Sequence, residues 1–165
     1  MQGHPDKIAA LTELLDKHEI KYGYSNGGSI TGYHFNKSGR GTINGTGALV
    51  VSTNQPKGKM IKVLFEPKAS LSDPLTYDIT AWSLPYAYGL DAVASTKAVN
   101  TQEAVTKTPK RNTISKTAAG YISKWNSMTD ARFLSALLQA KIKVRFSEKP
   151  FTNSGIAYPS GSLIV

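Results

Sequence analysis

The 165-residue chain contains no cysteine. This absence excludes disulfides, thiolate zinc sites, iron–sulfur clusters and cysteine nucleophiles. The chain also lacks any apolar run close to the ~18 residues that a membrane-spanning helix requires. Its opening residues, MQGHPDKIAALTELL, do not follow the basic-then-apolar order of a secretory signal peptide. We therefore expect a domain that folds without disulfides and has no membrane span.

Histidine is scarce, and its spacing does not favour a metal site. The three histidines are His4, His18 and His34. A catalytic zinc site of the His-x-x-Glu type needs a glutamate three residues after histidine, with a second, distant histidine. A lysine occupies that position after each of the three. The sequence predicts no metal site and no cofactor within this chain.

Two segments have features of hydrolase sites without their full chemistry. Ser83 follows an apolar run, but a nucleophile elbow needs small residues on both sides, and Pro85 fits poorly. We predict instead that Ser83 caps a short helix. Asp78 stands in a predicted strand, where a carboxylate needs a partner. We expect Asp78 to hold a loop by hydrogen bonds rather than to act as a general acid. Hydrolysis through Ser83 or Asp78 is therefore a third hypothesis, behind the accessory-domain and binding-module hypotheses.

Four short patterns occur in the same order near both ends of the chain. The first pair is LTELL at Leu11 and LSALL at Leu134, and the second is IKYGY at Ile20 and IKVRF at Ile142. The third pair is GYHF at Gly32 and GIAY at Gly155, and the fourth is GALVV at Gly47 and GSLIV at Gly161. Each copy predicts a helix, a strand, a short strand and a strand. The first copy carries about nine extra residues before its last strand. Similar patterns also arise by chance in helix–strand units, but four matches in order favour an internal duplication.

The remaining periodicities complete an α/β prediction with a mixed sheet packed by helices. We predict helices at 5–18, 58–65, 84–89 and 128–140, the last capped by Ser127 or Thr129. We predict strands at 20–24, 48–52, 77–82 and 121–124.

We expect a single α/β domain over residues 1–165, with four parts. They are a first repeat unit at 1–52, a linking strand and helix segment at 53–95, an exposed basic loop at 96–117 and a second repeat unit at 118–165. A helix almost at the start and the apolar GSLIV at the end predict a domain cut from a larger parent protein.

The net charge of +9 is concentrated in the 96–117 loop, which supplies +4 of it. Single-stranded nucleic-acid surfaces interleave basic residues with aromatic ones, and this loop has no aromatic residue. The pattern therefore does not favour nucleic acid as a partner. It indicates a solvated loop, in which Lys107, Lys110 and Arg111 form a candidate basic patch for anionic polymers.

Residues 55–89 are rich in proline, glycine, tryptophan and tyrosine. Tyrosine and tryptophan suit interfaces because each joins a large apolar body to a polar tip. Our candidates for a ligand or interface surface are Gln55, Glu66, Asp78, Trp82, Tyr86 and Tyr88. The alternative is that the aromatic residues fill the core, and the sequence does not choose between the two.

Several runs together resemble the middle region of large bacterial zinc carboxypeptidase-family proteins. They are STNQPK from Ser52, VLFEP from Val63, TYDITAWSLPYAYGL from Thr76, IKVRF from Ile142, KPF from Lys149 and GSLI from Gly161. The N-terminal part of those proteins is similar to metallopeptidases of the carboxypeptidase A type. The resemblance covers most of the chain, but the loop at 96–117 is not diagnostic.

The resemblance implies a periplasmic or secreted parent with a zinc-binding, peptidase-like domain before this region. A domain similar to class I glutamine amidotransferases follows it. No zinc ligand or catalytic glutamate carries over to this chain, so zinc belongs to the parent's separate catalytic domain. We expect a non-catalytic accessory domain in a parent that acts in proteolysis or in processing of peptides or cell-wall peptides. The alternative is an independent binding module for anionic polymer or cell-envelope material.

Overall fold

The computed structural model describes residues 1–68, 83–103, 115 and 117–165. Within them, helices alternate with short antiparallel sheets, so the predicted α/β class is confirmed. The chain divides into two compact units, Met1–Thr106 and Lys107–Val165. The strand predicted at 77–82 lies outside the described residues, as does most of the predicted loop.

The first unit begins with helix α1 (Pro5–Lys17). Pro5 suits the first turn because its missing N–H has no helical partner there, and Asp6 and Lys17 complement the helix dipole. Leu11 and Leu15, one turn apart, are fully buried. The predicted helix at 5–18 therefore forms, with its apolar face in the core.

Six short strands follow among the described residues of this unit. They are β1 (Gly23–Ser25), β2 (Ser29–His34), β3 (Gly39–Asn44), β4 (Leu49–Val50), β5 (Val93–Ala94) and β6 (Thr101–Gln102). One sheet has the order β4-β1-β6, and a second has the order β3-β2-β5. All of their pairings are antiparallel. Between β2 and β3, residues Phe35–Lys37 form a 3-10 turn.

Strand β6 corrects part of the predicted loop at 96–117. Thr101 pairs with Ser25, and Gln102 pairs with Tyr24. A side chain at Gly23 would place its Cβ 2.8 Å from the Cβ of Thr101, so this glycine permits the close approach. The sequence of β6 lacks apolar alternation because both of its residues are exposed.

Two further helices, α2 (Gly58–Phe65) and α3 (Leu84–Ala87), match the predicted positions. The cap predicted at Ser83 is wrong in its chemistry. Ser83 occupies the N-cap position of α3, but its side chain makes no capping hydrogen bond. Pro85 has no N–H to offer, and the N–H of Tyr86 already donates to the Ser83 carbonyl at 3.0 Å.

The core of the first unit lies between α1, the strands and these two helical segments. Its buried members are Leu11, Leu15, Ile20, Leu49, Ile61, Leu84 and Leu90. Residues from α1 and β4 therefore share one cluster with Ile61 of α2 and with the segment that contains α3. Helices α2 and α3 serve as the cover of this core.

The second unit has one helix among its described residues. Its elements are β7 (Ile122–Ser123), α4 (Met128–Gln139), β8 (Arg145–Phe146), β9 (Phe151–Asn153), β10 (Ile156–Tyr158) and β11 (Leu163–Ile164). Its three-stranded sheet has the order β7-β11-β8, and β9 and β10 form a hairpin. Ser127 caps α4: its hydroxyl accepts from the Asp130 N–H, while the Asp130 carboxylate accepts from the Ser127 N–H.

The two predicted repeat units have the same order of elements and equivalent hydrogen bonds. At the end of each helix, the N–H of Ile20 donates to the Leu15 carbonyl, and the N–H of Ile142 donates to the Leu137 carbonyl. The following strand pairs with the last strand of its unit through Tyr24 and Leu49, and through Phe146 and Leu163. Gly47 and Gly161, before these last strands, both have positive φ.

These bonds set the correspondence between the two helices and correct the predicted one. Leu15 corresponds to Leu137 rather than to Leu138, and Leu11 therefore corresponds to Phe133. The leucine pattern alone misaligns the helices by one residue because it ignores the backbone bonds that end each helix. With this alignment, the pairing of Ser123 with Leu163 in the second unit matches that of Met1 with Leu49 in the first.

The N-terminal amine lies in this strand-like position. It donates to the Leu49 carbonyl at 2.8 Å, and the Leu49 N–H donates back to the Met1 carbonyl at 2.9 Å. Burial lowers the pKa of the Met1 amine from 8.0 to about 6, against the opposing effect of the nearby Asp91 carboxylate. The folded chain thus disfavours the protonated amine.

For the chain that begins at Met1, we expect the free energy of unfolding to rise between pH 6 and pH 8. In that window the unfolded chain binds the amine proton and the folded chain does not, so raising the pH favours folding. The gain is at most about 2 kcal/mol. Urea unfolding at both pH values measures it, with the Nα-acetylated protein as the control that retains all other titrating groups. An equal pH dependence of both proteins contradicts the prediction.

Candidate functional site

Gln55, a predicted ligand or interface residue, uses its side chain within the fold. Its Nε2 donates to the carbonyls of Lys21 at 2.8 Å and Ser52 at 2.7 Å, and its Oε1 accepts from the Lys21 N–H at 2.8 Å. The amide therefore pairs with Lys21 as a neighbouring strand does. Gln55 holds the segment before α2 against the start of the strand region after α1.

Glu66 follows α2 and is exposed. Together with Gln55 it lines a cavity of about 780 Å³ in the first unit. Most of the described wall around them is apolar and includes Ile30, Ile43 and Phe65. The structure therefore brings these two candidates to one cavity, but Tyr86 and Tyr88 are not part of its lining.

Tyr86 packs on the turn between β2 and β3. Its ring lies 5.2 Å from that of Phe35, and its hydroxyl donates to the Phe35 carbonyl at 3.1 Å. Partial burial of the hydroxyl, together with the nearby Tyr33 hydroxyl, raises the pKa of Tyr86. Tyr86 as a whole is still 40% exposed.

Tyr88 is half-buried and packs against the core cluster of the first unit. For Tyr88, this position favours the alternative prediction that the aromatic residues fill the core. The other predicted site residues lie outside the described part of the chain. They are Asp78, Trp82, Lys107, Lys110 and Arg111, and both the aromatic contact surface and the basic patch stay predictions.

A polar cleft of about 930 Å³ adjoins the cavity of Gln55 and Glu66 in the first unit and shares Ile30 and residues 95–99 with it. It is lined by residues 25–33, Arg40 and residues 95–100, which include Lys97 and several hydroxyl side chains. We name it the polar cleft. Sequence reasoning did not select it, although the turn signal Asn26-Gly27-Gly28 marks one wall. Its two basic residues come from separate segments, so no local motif announces the pair.

His34 is buried beside a carboxylate that the sequence did not connect with it. Its Nε2 lies 3.2 Å from Asp91 Oδ1, and the Asn36 side chain donates to the same oxygen at 3.3 Å. Its Nδ1 has no hydrogen-bond partner among the described residues. A Cβ at Gly41 would come within 2.7 Å of the imidazole, so glycine makes room for this ring on the neighbouring strand.

Exposed large apolar side chains are concentrated in the second unit. Among described residues they are Tyr121, Trp125, Met128, Phe133, Leu138, Ile142, Phe146, Ile156 and Ile164, against only Val63 and Tyr86 in the first unit. Single exposed apolar residues are ordinary, but such a concentration is typical of interaction surfaces. The second unit is therefore the better candidate for a contact region.

Equivalent positions in the two units differ most in their exposure on one face. Leu11 and Ile20 are 0% and 2% exposed, whereas their counterparts Phe133 and Ile142 are each 42% exposed. Phe146, the counterpart of the half-buried Tyr24, is 67% exposed. We name Phe133, Ile142 and Phe146 the open face.

Neither a metal-ligand cluster nor a membrane-spanning helix occurs in residues 1–68, 83–103, 115 and 117–165. In these ranges no three histidine, aspartate or glutamate side chains converge as a metal ion would require. Likewise, no helix described there combines the length and the apolar character needed to cross a bilayer. No protein-family model, curated protein or solved structure matches the chain.

We expect Gln55→Ala to lower the free energy of unfolding by about 1–2 kcal/mol, because the Lys21 backbone loses its side-chain partners. Urea unfolding measures the loss. Gln2→Ala is a matched control, since it removes a single exposed glutamine bond to the Asn44 carbonyl and should cost less. If Gln55→Ala is as stable as the unsubstituted chain, Gln55 does not hold the segment before α2 against Lys21.

Proposed function

We propose that the chain is a non-catalytic accessory domain of a zinc metallocarboxypeptidase-like protein, and that its second unit docks a neighbouring domain. The observation that carries the docking role is the open face, three apolar side chains that are more exposed than their buried or half-buried counterparts in the first unit. Two of the three are phenylalanines, and aromatic side chains are enriched in the buried centres of protein interfaces.

Burial of these side chains favours docking energetically. Removing apolar surface from water contributes about 25 cal/mol per Å². Part of this gain offsets the lost freedom of the two partners, so a useful interface needs several such residues together. Phe133, Ile142 and Phe146 belong to one unit whose backbone bonds already fix them, which lowers the ordering cost.

The identity of the parent rests on the resemblance of residues 52–90 and 142–164 to the middle region of carboxypeptidase-family proteins. On that basis the neighbouring domains are a peptidase-like domain before this chain and an amidotransferase-like domain after it. Zinc and catalysis belong to the peptidase-like domain, and the parent is periplasmic or secreted. In this arrangement the present chain positions its neighbours.

The test compares this chain with the parent protein. We expect zinc and carboxypeptidase activity in the parent and neither in the chain alone. In the parent, Ile142→Ser combined with Phe146→Ser should weaken domain association, because two apolar contacts are replaced by hydroxyls. Faster limited proteolysis between the domains measures the weakening.

Val63→Ser is the matched control, because Val63 is 58% exposed but belongs to α2 of the first unit rather than to the open face. Circular dichroism and thermal melts establish that each variant is folded. Unchanged proteolysis of the folded double variant contradicts docking through this face. Stoichiometric zinc or turnover in the chain alone contradicts the non-catalytic assignment.

A second candidate function is binding of an anionic polymer, and the polar cleft favours it. Arg40 and Lys97 both line this cleft beside hydroxyl groups and the glycine-rich turn at 26–28. Two cations on one concave surface attract phosphate-bearing chains, and hydroxyl and backbone N–H groups add hydrogen bonds.

We expect polyphosphate to bind at low salt and to weaken as salt rises. Arg40→Gln with Lys97→Gln should weaken binding by about tenfold at ~50 mM salt, since two anion contacts are lost. Lys59→Gln with Lys62→Gln changes the net charge equally on exposed α2 and is the control. If neutralising Lys107, Lys110 and Arg111 has the larger effect, the predicted basic patch binds instead. Absence of binding at low salt contradicts this function altogether.

A further inference from the structure

We infer that the open face binds an amphipathic helix with acidic flanks, supplied by the partner that docks on the second unit. This inference rests on the docking role proposed above and names the chemistry of the segment that is recognised. The first unit provides the physical precedent, because a helix of its own covers the equivalent face.

In the first unit, α2 supplies that cover. Ile61 is 2% exposed and belongs to the same buried cluster as Leu11 and Ile20. Leu64 and Phe65, three and four residues later, pack against this cluster from the same helix. The spacing is that of one apolar helix face. Phe133 and Ile142, the counterparts of Leu11 and Ile20, can therefore pack against a helix with apolar residues at positions i, i+3 and i+4.

Two polar contacts show where this covering segment lies. Gln55 binds the backbone of Lys21 through both ends of its amide. Lys57 Nζ lies 3.7 Å from Glu19 Oε2, an exposed ion pair across the same short stretch. The residues that lead into α2 therefore sit beside the turn between α1 and β1, and a basic side chain there faces an acidic one.

The second unit reverses the charge of that turn. Glu19 and Lys141 are counterparts: both follow their helix with positive φ, at 55° and 57°. Lys143 and Arg145 continue the basic run beside Ile142 and Phe146. No helix among the described residues of this unit corresponds to α2. A helix that covers the open face therefore meets Lys141 where α2 meets Glu19.

Charge complementarity thus selects an acidic helix over a basic one. Helix α2 and its leading residue carry Lys57, Lys59 and Lys62. Lys57 suits Glu19, and a lysine in the same place would repel Lys141. The apolar contacts provide most of the binding free energy, whereas the charges choose between partners of similar shape. The recognised segment is predicted to carry glutamate or aspartate near both edges of its apolar face.

The experiment uses two peptides that differ only in charge. The first has the sequence of residues 52–67, and the second replaces Lys57, Lys59 and Lys62 with glutamate while keeping Ile61, Leu64 and Phe65. Each carries a fluorophore, and anisotropy reports its binding to the full chain. We expect the acidic peptide to bind about tenfold more tightly at low salt, with a smaller difference at ~0.5 M salt.

Three variants of the full chain locate the binding. Ile142→Ser should abolish binding of the acidic peptide, and Lys141→Glu should reduce or reverse the preference for it. Val63→Ser should change neither the binding of the acidic peptide nor the preference for it, because this exposed residue lies on α2. Ile142 and Lys141 are both exposed, so folded variants are expected, and circular dichroism checks them.

Equal binding of the two peptides, or binding that survives Ile142→Ser, overturns the inference. Self-association that Ile142→Ser removes, without peptide binding, assigns the open face to a second copy and also overturns it. If neither peptide binds but the same substitution loosens the domains of the parent, docking stands and its occupant is not a helix of this kind. If the domains of the parent are also unaffected, both proposals fail.

Discussion

Each unit depends on a pair of strands whose backbone bonds hold a leucine beneath its helix. Leu49 and Leu163 lie in the last strands and are 1% and 4% exposed. Leu15 and Leu137, on the helices, are 0% and 9% exposed. Because buried N–H and C=O groups must be paired, the strand bonds and the burial of these leucines are one constraint. The rest of each unit is arranged around it.

The two units differ in what covers this common frame. The first unit adds α2 and the segment with α3, and its apolar side chains are withdrawn from water. The described part of the second unit has no such cover, and its helix and strand keep large apolar side chains exposed. The same backbone pattern thus gives a closed core in one unit and an exposed apolar face in the described part of the other.

Local sequence patterns predicted the elements well where the pattern is set by neighbouring residues. The helices at 58–65 and 128–139 have an apolar period of their own, and Ser127 with Asp130 forms a capping box that short-range spacing announces. The pattern failed where distant segments decide. Strand β6 pairs with β1 because Gly23 lets Thr101 approach, a contact between distant segments.

The candidate site was harder to predict for the same physical reason. Gln55 was selected for its unusual context, but its amide is consumed by the Lys21 backbone, a contact that no local motif encodes. The open face consists of ordinary apolar residues, and the leucine pattern pairs Leu11 with Leu134 rather than with Phe133. The exposed fractions of Leu11 and Phe133, 0% and 42%, are visible only in the folded units. Once the helices are aligned by their terminal hydrogen bonds, the change from Glu19 to Lys141 becomes visible, because Glu19 lies beside Lys57 at the start of α2 and Lys141 occupies the equivalent position.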